Sequence, residues 1–142
     1  VNVYFDASVL VAMFTQDACS ARADELLGLS PTAFVSDFAA AELVSALARL
    51  VRMAALTAQE ARDALSTFDL WRQREATAIP STTHDVVAAD AYLRRFDTKL
   101  RTPDALNLAI AERCRLQVAV YDEDMAAAAK RLGIPLAPTS AA

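Results

Sequence analysis

The chain has 142 residues, of which 55% are hydrophobic and 23% charged, and its formal net charge is −4. That length suits one domain spanning residues 1–142, with enough apolar side chains for a sizeable core and no room for a second domain. The acidic balance excludes a protein that grips nucleic acid through bulk positive charge, so any RNA contact would rest on local basic patches.

The β-branched and aromatic run Val1-Asn2-Val3-Tyr4-Phe5 predicts a buried strand, and Asp6-Ala7-Ser8 a turn into a helix carrying Val9, Leu10 and Met13. The apolar opening up to Phe14 is interrupted by Asp6, has no basic flank before it and is too short for a bilayer. The protein is therefore expected in the cytoplasm, without a membrane. A second helix is expected from about Cys19 to Leu29 and a strand from Ala33 to Ser36. Leu43, Val44, Leu47, Leu50 and Val51 then form a 3.6-residue apolar stripe, the strongest helix signal in the chain. Thr57 with Glu60 makes a capping box at the head of a helix through Leu65, Phe68 and Trp71.

A short strand is placed around Ala78-Ile79-Pro80 and a helix from His84 to Phe96. Thr102 then reads as an N-cap, Pro103 as the first helical position and Asp104 as an acid in the first turn of a helix carrying Leu106, Ala109 and Ile110. Gln117 to Tyr121 is the next strand, Gly133 closes an alanine-rich helix, and Ile134-Pro135-Leu136 suits a last edge strand. Strands alternating with helices imply an α/β fold of three layers, α/β/α, around a mostly parallel central sheet. Cys19 and Cys114 lie far apart, outside any metal or redox spacing, and read as small core residues.

Ligands of an open parallel sheet bind beyond the carboxyl ends of its strands. Asp6 directly follows the first strand, Asp122 follows the Gln117–Tyr121 strand, and Asp104 sits in a first helical turn where the helix dipole keeps it ionised. Glu42 falls off the apolar stripe, towards Ser45, Arg49 and Arg52, a position open to a solvated surface glutamate as well as to a site residue; its small neighbours Ala39, Ser45 and Ala46 leave it unshielded. Each acid alone suits a cap. A cluster is different, because two carboxylates ~4 Å apart repel by roughly 4 kcal/mol at an effective dielectric of 20 and so call for a cation. Oxygen-only ligands select a hard ion, Mg²⁺ or Mn²⁺.

The segments Val-Tyr-Phe-Asp6-Ala-Ser8, Val-Ser-Asp-Phe-Ala-Ala-Ala-Glu42-Leu-Val-Ser-Ala-Leu, Arg-Thr-Pro-Asp104-Ala-Leu-Asn-Leu-Ala-Ile-Ala and Val-Ala-Val-Tyr-Asp122 resemble, in order and spacing, the PIN-domain family and especially its VapC-type toxins. The resemblance implies a metal-dependent ribonuclease in which Asp6, Glu42, Asp104 and Asp122 surround one or two divalent ions, Asp6 and Asp104 being the principal ligands and Ser8 a supporting hydroxyl. The family usually has threonine or serine two residues before the fourth acid, and here that residue is Val120, which leaves the fourth position open between Asp122 and Asp124. The resemblance further implies 5′-phosphate and 3′-hydroxyl products, a homodimer, and a VapB-type antitoxin that covers the acidic site. Phe38, opposite the stripe of its helix, and the pair Phe68 and Trp71 would offer such a partner apolar surface, or else belong to the core or to a homodimer contact.

Other readings fare less well. Asp122-Glu123-Asp124 also resembles the Asp-x-Asp of haloacid-dehalogenase-type phosphatases, but that motif opens its domain, and Asp6-Ala7-Ser8 lacks the second acid. Gly28 and Gly133, the only glycines, do not form a phosphate-cradling loop, and His84, the only histidine, has no marked nucleophile partner. The basic stretch of Arg94, Arg95, Lys99 and Arg101 suits either a solvated face or a phosphate-positioning strip for RNA beside Asp104. The non-enzymatic alternative is a catalytically weak PIN-like module that binds RNA or protein.

Overall fold

Four short runs of small, β-branched and aromatic residues make the central sheet: β1 (Asn2–Phe5), β2 (Thr32–Ser36), β3 (Ala76–Ile79) and β4 (Gln117–Ala119). They lie in the order β3-β2-β1-β4, all parallel, with Tyr4 level with Phe34 on one side and Val118 on the other. Parallel neighbours need crossovers, and seven helices supply them: α1 (Ala7–Phe14), α2 (Ser20–Gly28), α3 (Asp37–Arg52), α4 (Ala58–Glu75), α5 (Thr83–Leu93), α6 (Thr102–Arg113) and α7 (Glu123–Leu132). The computed structural model describes residues 1–138, so the last four residues of the expected domain lie outside it.

Val3, Tyr4 and Phe5 are all fully buried although their side chains alternate across the sheet. Phe5 stacks on Trp71 of α4, ring centroids 5.9 Å apart, while Tyr4 reaches the opposite way to Asn107 of α6. Helices therefore cover both faces, and the expected three layers are present.

Phe14, Phe68 and Trp71 pack edge to face and tilted at 5.4 to 6.3 Å, with Phe68 only 2% exposed. Phe38 likewise packs against the core. Phe68 therefore belongs to the core, and Phe38 and Trp71 are partly buried against it, because α1 and β1 close over α4 and burying such rings, about 150–250 Å² each, is strongly favourable.

Side-chain caps open five helices, with Asp6, Ser36, Thr57, Thr82 and Asp122 each accepting a backbone N–H three residues on. At α6 the N-cap is Arg101 rather than Thr102, because the Asp104 carboxylate itself reaches back to the Arg101 N–H at 3.1 Å. α5 stops at Leu93 short of Phe96, whose φ of 53° no right-handed helix admits. β4 stops at Ala119 short of Tyr121, whose N–H goes to the Ser8 hydroxyl instead of a ladder. β3 starts at Ala76 and ends before Pro80, which has no N–H to pair. The expected last strand is a single parallel bridge between Leu136 and Val118. Both cysteines are free; Cys114 packs on the core, whereas Cys19 sits half-buried at the head of α2.

α5 and α6 pack closely through Ala89, Ala105 and Ala109. A clamp closes this pair: Arg113 donates from Nε to Asp85 Oδ1 at 2.7 Å, and from Nη2 to Asp85 Oδ2 at 3.1 Å and the Pro80 carbonyl at 2.8 Å. Burial pushes the Asp85 carboxyl up, but the hydrogen bonds of Arg113 and Thr82 outweigh it and hold it below the usual range. Arg113→Ala would leave a carboxylate that is only 1% exposed without its partner. In urea unfolding at neutral pH we expect a loss of about 2–4 kcal/mol. Since Asp85 titrates below its ordinary value, the loss should persist down to about pH 4 and shrink only below it.

Candidate functional site

The chain leaves β1 towards β2 but leaves β4 towards the 134–137 segment on the other side, so a crevice opens at the carboxyl ends of β1 and β4. Asp6 stands at that switch. Its Oδ1 accepts the Ser8 hydroxyl at 2.6 Å and the Val9 N–H at 3.2 Å, and Ser8 Oγ in turn accepts the Tyr121 N–H at 3.2 Å. Ser8 thus ties the start of α1 to the segment that leads into Asp122. Asp6 is 6% exposed, and burial raises its carboxyl to about 7 against the pull of the Ser8 and Val9 hydrogen bonds, with the Glu42 charge adding to the rise.

Glu42, in the second turn of α3, is half-buried and faces α6. Its Oε1 accepts from Asn107 Nδ2 at 2.6 Å, and the same amide donates to the Pro103 carbonyl at 3.0 Å. Tyr4 donates its hydroxyl to Asn107 Oδ1 at 2.5 Å and lies 2.7 Å from Ser36 Oγ. With the Tyr4 proton committed to Asn107, Ser36 is the donor to Tyr4, and the relay Ser36–Tyr4–Asn107–Glu42 runs in one direction and ends on a carboxylate. Burial pushes Glu42 above the usual range, the Asn107 hydrogen bond opposes this, and the charge of Asp104 adds to it.

Asp6, Glu42 and Asp104 are therefore brought into one electrostatic group, Asp6 feeling Glu42 and Glu42 feeling Asp104. Asp122 is exposed and caps α7 by accepting the Met125 N–H at 3.0 Å, while Asp124 lies 3.9 Å from Lys99 Nζ. Val120 is buried and brings no hydroxyl to either. Among the described residues, no three Asp, Glu, His or Cys side chains converge tightly enough to enclose one ion.

The donor set still fits a hard divalent cation in a specific way. Glu42 and Asp104 each have one oxygen tied to a neutral N–H, and no protein hydrogen bond among the described residues takes the other, while Asp6 accepts only from neutral donors, the Ser8 hydroxyl and the Val9 and Ser8 N–H groups. None of the ion pairs among the described residues involves these three acids.

Of the basic stretch, Arg94 pairs with Asp90 at 2.5 Å and Arg95 with Asp97 at 3.0 Å, while Arg101 makes no ion pair among the described residues. His84 is exposed in the first turn of α5. Sequence reasoning missed Asn107, Tyr4 and Ser36. The available signal was Asn107 itself, an amide inside the apolar run from Leu106 to Ile110 and three residues after Asp104, hence on the same helical face.

Residues 3–131 match the family described as PIN domain. No curated protein matches the chain. Among solved structures, VapC20 of Mycobacterium tuberculosis, described as a sarcin-ricin loop cleaving toxin, superposes with a TM-score of 0.72 at 20% identity, covering 89% of this chain and 95% of its own. VapBC2 of Rickettsia felis, bound to a promoter DNA fragment, gives 0.67 at 13%, covering 96% of each chain. A toxin-antitoxin complex from Klebsiella pneumoniae gives 0.59 at 24%, covering 88% and 91%. At these identities the likeness is one of fold.

A carboxyl raised to about 7 in the fold, against ~3.9 in the unfolded chain, takes up a proton on folding between those values. Without metal, stability should therefore fall as pH rises from about 4 to about 7, by up to ~1.4 kcal/mol per pH unit from this group. Asp6→Asn keeps the cap to Val9 and removes the charge. Its urea-unfolding stability should lack that slope and exceed the parent's above pH 7.

Proposed function

The chain belongs to the PIN-domain family, and from that premise we propose that it is a divalent-metal-dependent endoribonuclease, the VapC-type toxin of a toxin–antitoxin pair. The observation that carries this reading is the trio Asp6, Glu42 and Asp104, in which each carboxylate is held by neutral donors and none is neutralised by an ion pair among the described residues. Asp6 and Asp104 are the principal ligands, Glu42 the third, and Asp122, or Asp124 beside it, the fourth acid. These residues would hold a Mg²⁺ or Mn²⁺ ion, whose chemistry there would be to lower the pKa of a water and offset charge on the scissile phosphate.

The chain's own residues supply orientation. Ser8 and the Val9 N–H hold the Asp6 carboxylate, and Asn107 holds Glu42 in one rotamer through the relay from Ser36 and Tyr4. Arg94, Arg95, Lys99 and Arg101 position RNA phosphates, since the exposed ion pairs of the first three are weak and readily exchanged and Arg101 makes none among the described residues. Metal-assisted hydrolysis then leaves a 5′-phosphate and a 3′-hydroxyl. Structural neighbours described as toxins and toxin–antitoxin complexes support a VapB-type antitoxin as partner, and we extend the proposal to a cytoplasmic homodimer acting as a single domain. No helix among the described residues is long and apolar enough to cross a membrane. Val120, buried where a hydroxyl is usual, favours one alternative, a catalytically weak PIN-like module that binds RNA or protein.

RNA cleavage by the purified chain should require Mg²⁺ or Mn²⁺ and stop on chelation. Asp6→Asn and Asp104→Asn should each lower kcat at least ~100-fold with unchanged far-UV dichroism, and Mg²⁺ should raise the Tm of the parent but not of Asp6→Asn. Cleavage that survives chelation removes the metal mechanism, and its absence under all conditions favours the binding module. Asn107→Ala frees Glu42 and should cost about 10–100-fold in activity or metal affinity. Expression in a bacterial host should arrest growth, an arrest relieved by the product of the adjacent upstream frame and absent for Asp6→Asn.

A further inference from the structure

Phe96, in the connection between α5 and α6, stands 91% exposed. Among the described residues it is the most exposed of the large hydrophobic side chains. Its backbone is left-handed, φ 53°, a region a bulky aromatic residue enters only at a cost. The fold thus holds an aromatic side chain in strain and gains no burial from it.

The connection is tethered. Asp97, next in the chain, takes Arg95 at 3.0 Å and Arg131 of α7 at 3.6 Å, and Lys99 approaches Asp124 at the head of α7 at 3.9 Å. At its far end the Arg101 N–H is bound to the Asp104 carboxylate. The ring therefore belongs to a segment that runs between Asp104 and the head of α7, where Asp122 and Asp124 lie. Four cations, Arg94, Arg95, Lys99 and Arg101, flank it within eight residues.

We propose that Phe96 is a stacking platform for an unpaired base of single-stranded RNA, with Arg101 and Lys99 taking the flanking phosphates, a role that rests on the nuclease reading. The alternation of an aromatic face with cations matches the alternation of base and phosphate along a strand. A protein-docking core would be depleted in charge, and here charge surrounds the ring. A duplex keeps its base faces stacked, so the platform favours single strands, loops and bulges over paired RNA.

The test is fluorescence anisotropy of a labelled single-stranded RNA of about ten nucleotides, in EDTA so that no cleavage occurs, with the parent, Phe96→Ala, Phe96→Tyr and Arg101→Ala. Phe96→Ala should weaken binding about 5- to 100-fold with the salt dependence unchanged, and Phe96→Tyr should bind within about twofold of the parent. Arg101→Ala should flatten the salt dependence by about one ion. A strand carrying abasic sites should bind the parent and Phe96→Ala alike. The ring is solvent-exposed, so equal melting temperatures will show that folding is intact. If the parent binds and cuts RNA and Phe96→Ala does both equally well, the stacking role is overturned and the nuclease reading stands. Loss of a dimer in Phe96→Ala, with RNA affinity unchanged, assigns the ring to contact between copies and also overturns it. A parent that neither binds nor cuts any single-stranded RNA fails as a nuclease, and the platform falls with it.

Discussion

Asp6 is a carboxylate buried at the end of the central strand with no cation beside it, and the surroundings of the crevice follow from that cost. Desolvation alone would drive such a group to its neutral form. The chain opposes this with two neutral donors on one oxygen and adds a second acid, Glu42, held by an amide. Every partner in the relay is neutral: Ser8, Ser36, Tyr4 and Asn107. Such partners fix the direction of the carboxylates without cancelling their charge, which leaves the repulsion to be relieved by a ligand from outside.

Asp85 makes the comparison concrete. It is as deeply buried as Asp6, yet its carboxyl is held low, because a guanidinium meets it in a forked hydrogen bond. The same residue type is used in two ways, as one half of a clamp between α5 and α6 and as an unneutralised charge at the crevice. The clamp matters to the site indirectly, because α6 carries both Asp104 and Asn107, and the Arg113 contact and the alanine seam set where that helix lies. On the opposite face, the rings of Phe5, Phe14, Phe68 and Trp71 hold α1 and α4 to the sheet and so position Asp6 and Ser8.

The fold class, the order of the elements and the PIN resemblance were legible in the sequence because they depend on local rules: alternation in β1, the stripe of α3, the capping box at Thr57 and Glu60, and the αL Gly133 closing α7. Asp6 and Asp122 were visible as acids following strands for the same reason, since a cap acts within three residues. Errors of one to three residues at element ends had separate causes: the left-handed Phe96 ends α5 early, Pro80 ends β3, and the distant Ser8 hydroxyl captures the Tyr121 N–H beyond β4.

Tertiary structure decided what those acids meet. Tyr4 and Asn107 are 103 residues apart, and only the placement of α6 over one face of β1 joins them. The same placement couples Glu42 to Asp104, whereas the contact that Asp122 shows is local, as the exposed cap of α7. The aromatic rings, open in the sequence between core and surface, pack into or against the core because α1 and β1 close over α4. Sequence by itself determined where helices and strands begin and which acids fall at strand ends, since those preferences act over a few residues. Which carboxylates share a crevice, and which neutral groups orient them, depends on strand order and helix packing, where the partners are tens of residues apart and no local periodicity records them.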